Sequence, residues 1–185
     1  LQKLSVAIVL TAITIQILGF VMLLPNFYFE YDIQNAVWQS LFHSVSGFNN
    51  AGFVIFPEDG GLAHHQDDWR ILSILALLIF IGSLSFWVVS DIVLKRRFIK
   101  FSLVSKIVLS MTISLIILGS ILLFVLEGTN PNTMEDLPIG TKIVVSIFES
   151  VSGRTAGFST LNYSDTRNAT NLIIMALMFM EVAHI

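Results

Sequence analysis

The feature that most constrains this chain is a short motif that occurs twice. Residues 42–53 have the sequence FHSVSGFNNAGF, and about a hundred residues later 148–158 repeat it as FESVSGRTAGF. Each copy carries serines at alternating positions, then a glycine, and ends in Ala-Gly-Phe. A motif that recurs in this way indicates a repeated structural unit. We therefore expect two tandem copies of one supersecondary element.

Both copies lie between long apolar segments. Residues 4–24, 71–90 and 107–126 contain no Asp, Glu, Lys or Arg. About 20 apolar residues at 1.5 Å per residue cross a hydrocarbon core of about 30 Å. Only 12% of the chain is charged, against roughly 25% in soluble proteins. The fold class predicted is therefore an all-α membrane protein, with Pro25 ending the first span and 71–90 forming the second.

Residues 36–46 and 141–152 have helical spacing but are too short to span. The glycine-containing segments that follow them have no regular period. Non-helical backbone at membrane depth is tolerated where protein buries it or where it lines a water-filled path. We interpret each segment as a re-entrant pore loop, with Gly47 ending its helix and Gly52 allowing a backbone geometry that a side chain would forbid. An ordinary glycine-containing loop is the alternative.

A basic cluster between the two units predicts the orientation. It comprises Lys95, Arg96, Arg97, Lys100 and Lys106. The positive-inside rule makes this connection cytoplasmic and both pore loops external, in a multi-pass plasma-membrane protein. The basic face would either contact anionic lipid or dock a cytoplasmic regulator. The predicted units are a repeat at 1–94 with its pore loop at 36–54, a linker at 95–106, and a repeat at 107–185 with its pore loop at 141–159.

Two features suggest a piece of a longer protein. The chain starts at Leu1 without a basic leader and cleavage site, so we expect no signal peptide. A fourth apolar segment begins at Leu172 and has about fourteen residues, short of the ~20 that a span needs. We expect this last helix to be truncated. The absence of cysteine excludes disulfides and thiolate metal sites.

The histidines are not expected to bind metal. His43 has no partner ligand one helical turn on, and its equivalent in the second copy is Glu149, so we expect a hydrogen-bonded or interfacial histidine. His64 and His65 lie near Asp67 and Asp68, but adjacent residues rarely converge on one ion, and we predict a solvated surface loop. An intramembrane enzyme is the weakest hypothesis, because His43, Glu149 and His184 have no spacing that implies a common site.

Two other polar residues lie at membrane depth. Gln16 is expected to bond a neighbouring helix, with a pore-lining role as the alternative. Arg154 follows Gly153 directly, beside the proposed cation path. We expect its side chain to point away and to bond protein carbonyls or Glu149.

The segments SVSGFNNAGF and SVSGRTAGFST resemble filters of the Trk/Ktr/HKT superfamily of potassium transporters, most closely the second and third filters of Ktr-type membrane subunits. The resemblance covers essentially the whole chain. It implies four helix, pore-loop, helix repeats around one pore, of which the first and fourth are not in this chain. It also implies a selectivity filter in which K+, or Na+ in some members, is held by backbone carbonyls of Asn50, Ala51, Gly52, Thr155, Ala156 and Gly157.

The partners implied by the resemblance are the missing repeats of the same polypeptide, a homodimer of pore subunits, a cytoplasmic nucleotide-binding regulatory ring and the lipid bilayer, with no nucleic acid. The implied function is potassium uptake, without enzymatic activity. The sequence leaves open whether this is part of a longer protein or whether two such halves assemble. It is also compatible with a non-conducting membrane scaffold, a degenerate fragment or a Na+-permeable relative.

Overall fold

The computed structural model describes residues 2–56 and 61–182, and all regular structure within them is helical. The α-helices are α1 (Gln2–Tyr28), α2 (Ile33–Phe48), α3 (Trp69–Ser83), α4 (Phe86–Lys95), α5 (Leu103–Glu127), α6 (Ile139–Thr155) and α7 (Asn168–Val182). Short 3-10 helices occur at Gly61–His65 and Phe98–Lys100. The all-α prediction is confirmed. The expectations for 57–60 and for His184 lie outside the described residues.

Among the described residues, two helices are long and apolar enough to cross a membrane on their own. They are α1, over Leu4–Tyr28, and α5, with mean hydropathies of 2.5 and 2.6. A third span exists if α3 and α4 are counted together, although they are bent by 107°. The outward faces of α1 and α5 are lined by exposed Ile, Val and Leu side chains, as expected of helices that face lipid.

The prediction of one continuous second span at 71–90 is wrong, because the helix breaks between Ser83 and Phe86. The Ser83 hydroxyl donates to the carbonyl of Phe80 at 2.9 Å, and Leu84 is extended with ψ 140°. Ser85 then takes the extended conformation of a helix N-cap. Serine favours caps and turns because its hydroxyl competes for backbone groups.

The prediction that Pro25 ends the first span is also wrong, because α1 continues to Tyr28. Proline removes one backbone donor from a helix. Close behind it, Phe27 is fully buried against Tyr31 and Phe56, with ring centroids 6.1 and 5.7 Å away. This tertiary packing holds the last turn in place despite the missing hydrogen bond.

The helices form two units of similar design that pack side by side. In the first unit α2 packs against α1 and α3, and in the second α6 packs against α5 and α7. The units join where α3 packs against α6. One hydrophobic cluster crosses this junction, from Leu72 and Leu75 of α3 to Val145 and Phe148 of α6. The motif-bearing helices α2 and α6 are therefore the inner elements of the described chain.

Candidate functional site

The inner helices α2 and α6 carry most of the buried polar side chains. In α2 these are Gln39, Ser40, His43, Ser44 and Ser46, and in α6 they are Ser146, Glu149, Ser150, Ser152 and Arg154. Burying a polar group without a partner costs free energy, so each of these groups needs a specific hydrogen bond. Those bonds show what the repeated motif does.

The first serine of the motif attaches each inner helix to the preceding long helix. Ser44 donates to the carbonyl of Gln16 at 2.5 Å, and Ser150 donates to the carbonyl of Ile116 at 2.9 Å. Both hydroxyls lie against a glycine of the long helix, Gly19 or Gly119, where a Cβ would crowd the serine oxygen. Small residues allow close helix approach in membranes. Sequence reasoning missed these glycines, although Ile-Leu-Gly occurs at both 17–19 and 117–119.

The second serine of the motif holds the loop that follows. Ser46 donates to the carbonyl of Phe53 at 2.8 Å, and Ser152 donates to the carbonyl of Phe158 at 2.6 Å. In both units the acceptor is the residue directly after the glycine of Ala-Gly-Phe. The alternation of serines in the motif therefore corresponds to two anchors, one toward the long helix and one toward the loop.

The residue before Ser-Val-Ser-Gly is a third anchor of the loop. The Ile55 N–H donates to Nε2 of His43 over a long 3.5 Å, and the Thr160 N–H donates to Oε1 of Glu149 at 2.7 Å. Nδ1 of His43 lies 2.8 Å from the carbonyl of Gln39. The prediction that His43 is a hydrogen-bonded residue is confirmed. The two units thus use different side chains at one position for the same purpose.

Glu149 is the more extensively bonded of the two anchors. It is fully buried and also accepts hydrogen bonds from the hydroxyls of Ser159, Thr160 and Tyr163, at 2.9–3.1 Å. Burial and the adjacent Glu149 charge raise the pKa of the Tyr163 hydroxyl above its usual value. These bonds fix the backbone after the second loop as far as Tyr163.

The motif's first glycine is helical in both units, so the expectation that Gly47 ends its helix is wrong. Gly47 lies inside α2, and Gly153 lies inside α6. The residue that reverses the chain after α2 is Asn50, with φ 52°. The N–H of Asn50 bonds the carbonyl of Gly47, and the N–H of Ala51 bonds that of Ser46. This is the Schellman arrangement, in which asparagine can replace glycine.

The second glycine of each motif does adopt a backbone that disfavours side chains. Gly52 has φ 71° and Gly157 has φ 76°, in the left-handed region. A Cβ at Gly52 would overlap the carbonyl oxygen of Ala156 and lie 3.3 Å from the carbonyl carbon of Gly157. The two loops therefore touch, backbone to backbone, at these glycines.

A side-chain contact joins the same loops. The side chains of Asn50 and Thr155 are in hydrogen-bond contact at 3.0 Å. With its amide nitrogen toward Thr155, Asn50 also donates to the carbonyl of Ile79 at 3.3 Å and accepts from the N–H of Ser83 at 3.2 Å. Asn50 thereby links both loops to the end of α3, just before the break in that helix.

Five of the six residues predicted for the site lie at this junction, namely Asn50, Gly52, Thr155, Ala156 and Gly157. The sixth, Ala51, lies on the same segment and is exposed. Gly157 is exposed, whereas Ala156 is buried. The backbones of both loops therefore meet at this junction, and part of this backbone is exposed.

Arg154 lies in the last turn of α6 rather than in an irregular segment. Its side chain is buried and donates from Nη1 to the carbonyl of Thr112 in α5 at 3.3 Å. The expectation that it bonds protein carbonyls is confirmed. The guanidinium therefore helps to hold α6 against α5.

The surface-loop prediction is wrong for His65, which is buried in the 3-10 helix Gly61–His65. Its ring lies 4.4 Å from that of Phe56, and Nδ1 is 3.6 Å from Glu30. Aromatic packing, which the polar sequence around it does not reveal, explains the burial. Within residues 2–56 and 61–182, no three His, Cys, Asp or Glu side chains are grouped as a metal site would require.

The sequence of this chain matches a known protein family. The profile of TrkH, described as a cation transport protein, matches residues 1–184. The Ktr system potassium uptake protein B of Bacillus subtilis is 34% identical over 170 residues, covering 92% of this chain and 38% of the relative. Its namesake in Vibrio alginolyticus is 34% identical over 180 residues, covering 96% and 39%.

A third relative, the potassium/sodium uptake protein NtpJ of Enterococcus hirae, is 33% identical over 177 residues, covering 96% of this chain and 39% of the relative. The chain therefore spans about two fifths of the length of each of these relatives. All three are named as uptake proteins for alkali cations. The chain belongs to the TrkH cation transport family, within the Trk/Ktr superfamily that its two motifs resemble.

Proposed function

We propose that this chain supplies two adjacent parts of a potassium-uptake pore, in which backbone carbonyls of both loops coordinate the ion. The carbonyls are those of Asn50, Ala51, Gly52, Thr155, Ala156 and Gly157. The observation that carries the proposal is the contact of Gly52 with Ala156, where two left-handed glycine loops meet. Loops from separate repeats must approach one another if they are to share one ion.

The dipoles of the inner helices favour a cation at this place, against the opposing charge of Arg154 in the last turn of α6. The C-terminus of a helix carries partial negative charge. α2 ends at Phe48 and α6 ends at Thr155, so both C-termini lie directly before the loops. The described side chains of the loop segments 49–53 and 156–159 carry no formal charge, so ion binding there rests on carbonyl and helix dipoles.

The anchors described above support the rigidity that such a site needs. Ser46 and Ser152 fix the carbonyls one residue after each glycine, while His43 and Glu149 fix the N–H groups two residues further on. A loop pinned on both sides of its glycine keeps its carbonyls at constant positions. A flexible loop would adapt to ions of different radius and lose discrimination between them.

The architecture of the complete pore is also part of the proposal. We place the predicted repeats at 1–94 and 107–185 side by side in the plasma membrane, with both loops toward the exterior and 95–106 toward the cytoplasm. Further repeats of the same polypeptide would complete the ring around the ion. A second pore subunit and a cytoplasmic nucleotide-binding ring are the proposed partners of the assembled protein.

Sodium permeability is the second candidate. It is favoured by the similarity to NtpJ, whose name specifies both potassium and sodium. The same carbonyl site would serve either ion, with selectivity set by the spacing and number of carbonyls. The third hypothesis, a non-conducting scaffold, requires only that the two loops pack together.

Flux measurements on the full-length gene product separate these readings. The protein would be reconstituted in liposomes, and uptake of K+ and Na+ would be followed with ion-sensitive dyes, alone and in competition. We expect saturable K+ uptake that excess Na+ inhibits weakly. Equal uptake of both ions would favour the sodium-permeable reading, and flux no greater than that of empty liposomes would overturn the transport proposal.

A further inference from the structure

A groove on the outer side of the second repeat has no role in the proposed ion path. It lies between α5 and α6 and has a volume of about 380 Å³, within the ~300–1,000 Å³ of typical ligand pockets. Its apolar walls are formed by Ile116, Ile117, Ile121 and Phe124 of α5, with Ile143 and Ile147 of α6. The groove therefore runs along a helix that is long and apolar enough to span the membrane.

The polar atoms in the groove are already bonded within their own helices. Ser120 donates to the carbonyl of Ile116 at 2.6 Å, and Ser146 donates to the carbonyl of Lys142 at 2.7 Å. With both donor protons used, the walls offer little to a polar ligand. An apolar occupant such as a hydrocarbon chain fits these walls better than any hydrogen-bonding molecule.

Ser120 lines the groove with a small side chain. Gly19 and Gly119 occupy equivalent positions against Ser44 and Ser150, so the residue after each glycine is equivalent as well. In the first repeat that residue is Phe20, which is half-buried and much larger than serine. The two repeats therefore differ in side-chain size at this position of the groove.

A cation lies on α6 next to the lining residue Ile143, beyond the apolar walls. Lys142, in the first turn of α6, is one turn before Ser146, and its ammonium donates to the carbonyls of Gly128 and Glu135 at 2.8 and 2.9 Å. An ammonium has three protons, so it can bond one further acceptor. A phosphate is a suitable acceptor, because ammonium groups bind it as point charges.

We propose that this groove is a phospholipid site, with one acyl chain between α5 and α6 and the phosphate at Lys142. The apolar walls, their position on a spanning helix and the charge of Lys142 favour this lipid, independently of the ion-conducting role of the loops. Lipid binding and potassium transport can therefore be tested, and can fail, separately.

Photo-crosslinking of the full-length protein tests the proposal. The protein would be reconstituted in vesicles of phosphatidylethanolamine and phosphatidylglycerol that contain phosphatidylcholine with a diazirine in one acyl chain. After illumination, labelled peptides would be mapped by mass spectrometry. We expect labelling of 116–124 and 143–147 well above that of other lipid-facing helix surfaces. Labelling there no higher than elsewhere would overturn the proposal, because it would mean that protein covers the groove or that lipid contacts it only transiently.

Two variants and a competition experiment test the lipid site further. Ser120→Phe, which introduces the residue of the first repeat, should reduce labelling of the groove to the background of α5. Leu118→Phe is the matched control, since Leu118 is exposed on the same helix outside the groove and its replacement should leave labelling unchanged. Unlabelled phosphatidylglycerol should compete with the probe more strongly than diacylglycerol, and equal competition would contradict the role given to Lys142.

Discussion

The four glycines of the two motifs should respond to alanine in two different ways. Gly47 and Gly153 are helical. A Cβ at Gly47 would lie 3.5 Å from Leu75, and one at Gly153 would lie 3.4 Å from Ile174, which are ordinary contacts. Alanine there should stabilise the helix by up to about 1 kcal/mol, because glycine is the poorer helix former. Ion selectivity should stay as it is in the unmodified protein.

Gly52 and Gly157 should behave oppositely. An L-residue in the left-handed region costs about 1–2 kcal/mol, so Gly157→Ala, with no described atom within 4 Å of its Cβ, should lose about that amount. Gly52→Ala carries the same cost and also forces the carbonyl of Ala156 to move, because a backbone oxygen cannot rotate away from the new methyl group. It should therefore cause the larger loss of stability and of K+ preference over Na+.

The measurement compares the four variants in the full-length protein. Thermal inactivation in detergent gives the order of stabilities, and competitive K+ and Na+ uptake in liposomes gives the selectivity. We expect Gly47→Ala and Gly153→Ala to keep the K+ selectivity of the unmodified protein. Gly157→Ala should be less selective, and Gly52→Ala the least selective of the four. Unchanged selectivity in Gly52→Ala, or an equal loss in Gly47→Ala, would refute the assignment of the ion site to the Ala-Gly-Phe loops.

Three further substitutions test the supports of the loops. Glu149→Gln places amide protons against buried donors and should destabilise the protein by about 1–3 kcal/mol. The control Glu135→Gln, at an exposed position, should have little effect on thermal inactivation. Equal effects of the two substitutions would argue against Glu149 as an anchor of the loop. Arg154→Ala removes a buried donor to α5 and should lower the assembled yield by size-exclusion chromatography, and normal assembly with increased conductance would contradict its structural role. Gly82→Ala brings a methyl group onto the carbonyl of Phe48 and should cost about 1–3 kcal/mol, so a melting temperature no lower than that of the unmodified protein would contradict the close packing of α2 on α3.

The helical class, the short inner helices and the approach of the two Ala-Gly-Phe segments could be predicted from the sequence, since all depend on local composition and on the internal repeat. Apolar length alone identifies α1 and α5 as spans. Comparison of the two copies singles out Gly52 and Gly157, and both adopt the left-handed backbone for which glycine is suited.

The features that were missed depend on tertiary contacts or on the hydrogen bonds of a helix cap. The burial of Phe27 carries α1 past Pro25, and the hydroxyl of Ser83 takes part in breaking the helix that a hydropathy window leaves continuous. Gly47 was expected to end α2, but the Schellman arrangement at Asn50 does so. Glycine is the commoner residue at this capping position, and the hydrogen bonds of Asn50 and Ala51 show that asparagine takes it here.

The proposed site requires the two loops to bind one alkali cation together. Crystals of the full-length transporter grown with Rb+ in place of K+ would reveal the ion, because rubidium scatters anomalously and has a similar radius. We expect an anomalous peak bordered by the carbonyls of both 50–52 and 155–157. If the protein transports Rb+ but the anomalous density lies away from either loop, the shared site is wrong.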